Sequence, residues 1–179
     1  MRAMNRWAAG ILLAMFSLAL GRAHADDSAA SLYELDIRLT DQSGRSQPLD
    51  LYRDEAVLIT MFYGSCPMAC PFLIDSLRVI ESTLSPVERQ RVRVLMVSID
   101  PERDTPQALA ALAKQRRMAL TRWTLARVSD HDVRLLAAAL DMQYRRLPDG
   151  QYNHTSVVSL LSPQGQLLRQ TSVLGRADP

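Results

Sequence analysis

The side chains best suited to chemistry are few in this chain: two cysteines, Cys66 and Cys70, and three histidines, His24, His131 and His154. The cysteines stand four apart in Cys66-Pro67-Met68-Ala69-Cys70-Pro71, directly after a long apolar run. If Pro67 to Pro71 enter a helix, positions 66 and 70 share one face, a turn apart. That spacing lies near the roughly 4.4–6.8 Å between Cα atoms that a disulfide tolerates, and it also lets both sulfurs reach one metal ion. A helix start favours the thiolate, because unpaired N–H groups and the positive end of the dipole face it. The thiolate is both the nucleophile of disulfide exchange and the ligand for soft metals. A staple is the weaker explanation, since so small a closed loop gains little chain entropy. The bland alternative is a pair of inert buried cysteines.

Two thiolates suit Cu(I), which accepts soft ligands at low coordination. Structural zinc wants four ligands, and the supply here would require both His131 and His154, or a carboxylate, so copper needs fewer assumptions. His154 lies in Pro148-Asp149-Gly150-Gln151-Tyr152-Asn153-His154-Thr155, a polar stretch read as a loop opening onto a hairpin. It is either an added imidazole, which Cu(II) takes readily, or a histidine that caps hairpin backbone. Spacing alone leaves both open. His131, in Asp130-His131-Asp132, reads as a solvated residue at a helix start. Met68 is either a thioether ligand or packing filler. Asp100, Glu102 and Asp104 cluster after a buried strand, where α/β proteins place their sites, yet turn and cap chemistry explains them equally well. Lys114-Gln115-Arg116-Arg117 is a solvated helix end. No glycine-rich phosphate loop or Ser/His/Asp arrangement is present in the sequence, and no activating threonine or arginine stands next to Cys66 as a peroxidase would need.

Elements must hold these residues in place. Ala56 to Tyr63 is apolar and β-rich, as a strand buried on both faces should be. After the cysteines, Phe72, Leu73, Leu77 and Ile80 form a helical stripe that Ser85-Pro86 closes. Val92 to Ile99 is a second buried strand, followed by a helix start at Asp104-Thr105-Pro106. Trp123 to Ala126 is a third strand, with a helix after Ser129 or Asp130 that ends near Leu140. Leu32 to Thr40 alternates and predicts a short strand, paired in a hairpin with the segment after Ser43-Gly44. Thr155 to Leu161 and Gln166 to Ser172 predict a final hairpin around Ser162-Pro163-Gln164-Gly165. Strand and helix alternating in this way give one α/β layer structure. The cysteine pair after its first long strand points to a thioredoxin-like, three-layer fold with a mixed central sheet. The chain is expected to lack the C-terminal helix that such folds usually add.

The ends and the composition set the setting. Arg2 and Arg6, the apolar run Trp7 to Leu20, and Ala23-His24-Ala25 fit a cleaved signal peptide over residues 1–25. The apolar run is shorter than the roughly 20 residues of a membrane span, although an uncleaved inner-membrane anchor is the alternative. Cleavage would remove His24, three arginines and no acid, turning the formal net charge of +2 slightly negative. The basic balance therefore gives no argument for nucleic acid. The exported part, residues 26–179, reads as one periplasmic domain in a compartment where disulfides persist.

Phe62-Tyr63-Gly64-Ser65-Cys66-Pro67-Met68-Ala69-Cys70-Pro71 resembles the C-P-x-x-C-P signature of the Sco/SenC family, and Val97-Ser98-Ile99-Asp100-Pro101-Glu102-Arg103-Asp104-Thr105-Pro106 is similar to its second block. His154 falls where the family carries its histidine. The resemblance implies a thioredoxin-like copper protein of the bacterial envelope, with Cys66, Cys70 and His154 as metal ligands and Cys66 and Cys70 as a redox-active pair. It also implies a metallochaperone, delivering copper to the binuclear centre of cytochrome c oxidase or reducing that centre's cysteines. The partner would be a copper-receiving membrane oxidase subunit or another periplasmic copper or thiol protein; no nucleic acid and no small-molecule substrate is indicated. The rival class is an enzyme, a thiol–disulfide oxidoreductase without a metal. Met68 and Asn153 stand where the family usually carries Asp, and the lost negative charge should favour Cu(I) over Cu(II).

Overall fold

The computed structural model of the protein describes residues 30–66 and 69–172, with backbone alone at 69 and 70. Three parallel strands form its centre: β3 (Ala56–Phe62), β4 (Val92–Ser98) and β5 (Trp123–Arg127). Their side chains are buried on both faces almost throughout, which is why they read as continuous apolar runs rather than alternating ones. On one side, β1 (Arg38–Asp41) pairs antiparallel with β5 and carries β2 (Ser46–Pro48). On the other, β8 (Val158–Leu161) pairs antiparallel with β3 and carries β9 (Leu167–Thr171). The sheet order is β2-β1-β5-β4-β3-β8-β9.

Helices cover both faces. One core joins the sheet to α1 (Ala69–Thr83) and α3 (Pro106–Gln115) through Phe62, Leu73, Ile74, Leu77, Met96 and Leu109. The other packs α4 (Asp130–Ala139) on Ile59, Met61, Leu95 and Val97 through Val133, Leu136 and Ala137. These are the three layers that the sequence predicts. The far end of α1 is tied down by Glu81, a buried carboxylate that accepts from Trp123 Nε1 at 3.0 Å and from the Arg122 guanidinium.

Several local expectations change. Leu32 to Thr40 is a strand only from Arg38 onward; Leu32–Glu34 is a 3₁₀ turn. Adjacent Leu32 and Tyr33 both plug the core from a turn capped by Ser31, so the alternation does not extend through this end of the segment. Phe72 does not belong to the apolar stripe: it is 59% exposed, and Ile74 takes the inward place. Ser85-Pro86 does more than close α1, since Ser85 and Glu88 form a capping box that starts a short helix, α2 (Pro86–Gln90). The last hairpin begins at Val158 rather than Thr155. Residues 152–154, read as loop, form a strand, β7 (Tyr152–His154), pairing with β6 (Tyr144–Arg146) in a separate two-stranded sheet. Three-residue strands are too short to show a period in sequence. The signal-peptide reading and residues 173–179, where a covering helix would begin, lie outside the described residues. No described helix is long and apolar enough to cross a membrane.

Candidate metal centre

Strands β3 and β4 run parallel and release their chains at the same edge of the sheet, and the candidate residues gather there. β3 hands over at Tyr63 to the turn Gly64-Ser65-Cys66. The Cys66 amide donates to the Tyr63 carbonyl at 3.2 Å. Cys66 is half-buried and packs against both cores, so it lies at the top of the sheet and not under one layer. It precedes α1, whose first residue is Ala69 and second is Cys70. Cys70 is helical and Cys66 lies in the turn that leads to α1, while residues 67 and 68, on which the shared helical face depends, lie outside the described residues. Met68 lies outside the described residues.

The histidine arrives from the other direction. His154 ends β7 opposite Tyr144, and its Nδ1 lies 3.0 Å from the carbonyl of Thr155. A carbonyl only accepts, so in the neutral ring Nδ1 carries the proton and Nε2 keeps its lone pair, the form in which histidine binds metals. Tyr63 joins the two halves. Its ring meets His154 edge-on at 5.6 Å and Tyr152 at 5.3 Å, and its hydroxyl donates to Gln151 Oε1 at 3.1 Å. One buried tyrosine therefore accepts the Cys66 N–H on its backbone and supports the His154 imidazole with its ring. In the sequence Tyr63 is indistinguishable from the last residue of a buried strand.

The acidic cluster is also more than a turn. Asp104 is 4% exposed. Its carboxylate accepts from the Gly64 amide at 2.9 Å and from the Ser98 hydroxyl, which itself accepts from the Asp100 amide at 2.9 Å. Burial pushes the Asp104 carboxyl above its ordinary value, against the lowering effect of the Ser98 and Gly64 hydrogen bonds. Asp100, also buried, pairs with the Arg103 guanidinium, and that hydrogen bond raises the arginine further. Arg103 then donates to the Gly150 carbonyl and lies 5.9 Å from the centre of the Tyr152 ring. Glu102 reaches Arg146 of β6 at 3.9 Å across open solvent. By contrast His131 is exposed at the start of α4, as expected.

A sulfur at the turn and an imidazole nitrogen are donor types that suit a soft metal. Among the described residues no group of three or more His, Cys, Asp or Glu side chains closes a cage.

A model of the SCO1/SenC family matches residues 25–178. The chain is 25% identical over 132 residues to the SCO1 protein homolog of Bacillus subtilis, covering 72% of this chain and 68% of that one. It is 29% identical over 136 residues to the mitochondrial SCO1 homolog of Homo sapiens, covering 73% of this chain but only 44% of the human one. Among solved structures, Arabidopsis thaliana ScoI with copper bound superposes with a TM-score of 0.65 at 19% identity, over 75% of this chain and 83% of that one. The three-layer architecture is accordingly the thioredoxin-like fold of such proteins.

Proposed function

This chain belongs to the SCO1/SenC family, and we propose that it is an exported copper-binding protein that holds Cu(I) between Cys66 and Cys70 and recruits His154 for Cu(II). The observation that carries the proposal is Tyr63, which ties the Cys66 turn and the His154 strand to one end of the sheet. Two thiolates satisfy Cu(I), and an added imidazole suits Cu(II); Nε2 is the nitrogen left to bind once Nδ1 is engaged by Thr155.

Copper is here cargo. A site with few protein ligands at a solvent-facing edge lets an incoming ligand displace them one at a time, which is what transfer to another protein requires. The recipient we propose is a copper centre of the cytochrome c oxidase kind, or another exported copper or thiol protein. The same pair can act as a dithiol: two thiols become one disulfide, and two electrons and two protons pass to the recipient's disulfide. Export by cleavage after Ala25, or anchoring through the uncleaved segment, places the domain of residues 26–179 in the periplasm, where both reactions have use.

Copper titration of the reduced protein tests this. Wild type should take up one ion with thiolate-to-copper absorption, Cys66→Ala and Cys70→Ala should each abolish it, and His154→Ala should keep Cu(I) but lose Cu(II). Uptake well below one ion, with disulfide exchange that survives His154→Ala, would replace the proposal with a thiol–disulfide oxidoreductase.

A further inference from the structure

The two halves of the site are carried by elements far apart in sequence, yet both are held by one loop, residues 100–104 between β4 and α3. Asp104 grips the cysteine half through the Gly64 amide. The approach is close: a Cβ built on Gly64 would lie 2.5 Å from Asp104 Oδ1, so a side chain there would have to displace the carboxylate that holds the turn. Arg103 grips the histidine half. Its guanidinium is oriented by buried Asp100 and reaches the Gly150 carbonyl and the Tyr152 ring, in the turn and strand that lead to His154. Gly150 has φ +81°, so its carbonyl direction belongs to a tight turn that most residues would not adopt.

The geometry points to Arg103 and Asp104 as separate positioning residues, Arg103 for His154 and Asp104 for the Cys66 turn, so that one loop sets how the imidazole meets the sulfurs. Neither side chain is a ligand. The inference deepens the copper reading and rests on it for its purpose, but the bracket itself is a property of the metal-free protein. Removing a partner that orients a ligand typically costs about 10–100-fold in metal affinity, and here the cost should fall on one oxidation state. Loss of Arg103 should weaken Cu(II), which needs the imidazole, and leave Cu(I) with its two sulfurs. Loss of Asp104 should alter the dithiol and with it Cu(I).

The test uses Arg103→Ala, Arg103→Lys, Asp104→Ala and Asp104→Asn in the full chain, read first without metal. NMR of the reduced protein should show the His154 ring signal, shifted by the edge-on Tyr63 ring, moving in Arg103→Ala while Gly64 amide exchange stays within twofold of wild type. Asp104→Ala should do the reverse, with Gly64 exchange at least tenfold faster. Arg103→Lys keeps the charge without the planar fork and should not restore the His154 signal. Asp104→Asn keeps an acceptor oxygen and should restore part of the Gly64 protection, which serves also if the alanine variant does not fold. With copper, Arg103→Ala should lose about tenfold in Cu(II) affinity and under twofold in Cu(I). Asp104→Asn should shift the equilibrium with glutathione by about tenfold, near 30 mV for a two-electron couple. If each variant moves both NMR readouts alike, or Arg103→Ala leaves His154 unmoved, the inference is wrong. If the NMR pattern holds while wild type binds no copper, the bracket stands and the copper reading fails.

Discussion

Two loops leave neighbouring parallel strands at the same edge of the sheet, and they are built in opposite ways. The loop after β4 is bonded within itself: Ser98 to Asp100, Asp100 to Arg103, Asp104 to Ser98. The loop after β3 holds Cys66 and leans on its neighbour, through the Gly64 amide on Asp104. Ser65, beside Cys66, is exposed. Reactive groups that must exchange ligands need room, and a site with room needs its shape fixed from outside. Here the fixing is delegated to a carboxylate and an arginine one strand away.

That asymmetry can be broken experimentally. The largest effect should come from Asp104→Ala, which leaves the buried Ser98 hydroxyl and the Gly64 amide without their acceptor and should cost about 2–4 kcal/mol in urea unfolding. A smaller, pH-dependent part of Asp104's contribution should be visible in Asp104→Asn. Because burial raises the carboxyl above its unfolded value of about 3.9, the protonated form is favoured in the native state. Its stabilising contribution is complete below about pH 4 and is lost as pH rises through the native value. Unfolding midpoints between pH 3 and 7 should therefore move against wild type relative to Asp104→Asn as pH increases; a gap independent of pH would mean that the carboxyl is not desolvated. The smallest effect should be Ser65→Ala, within about 0.5 kcal/mol of wild type and without change in the loop after β4. A large loss there would show that the cysteine turn supports its neighbour and not the reverse.

Much of this was readable in the residues. The buried strands announce themselves by runs such as Val57 to Phe62, and the starts of α3 and α4 by Thr105-Pro106 and Ser129, which do cap those helices. The i to i+4 cysteines and His154 were also legible as candidates, since few residue types bind soft metals. What stayed hidden was how Tyr63 joins the Cys66 turn to the His154 strand. Tyr63 looked like strand core, Arg103 like a loop charge, and β6–β7 was too short for any period. Phe72 and Ile74 are both apolar and two apart in sequence, yet only Ile74 is buried, a choice that residue type alone does not make.

The most direct test of the central claim is X-ray absorption at the copper edge of the Cu(II)-loaded protein, beside His154→Ala. Two sulfur scatterers and an imidazole in wild type, while His154→Ala retains no Cu(II) and holds Cu(I) through its sulfurs alone, is the predicted result. Copper surrounded by nitrogen and oxygen alone, or an imidazole signal that persists without His154, would contradict it.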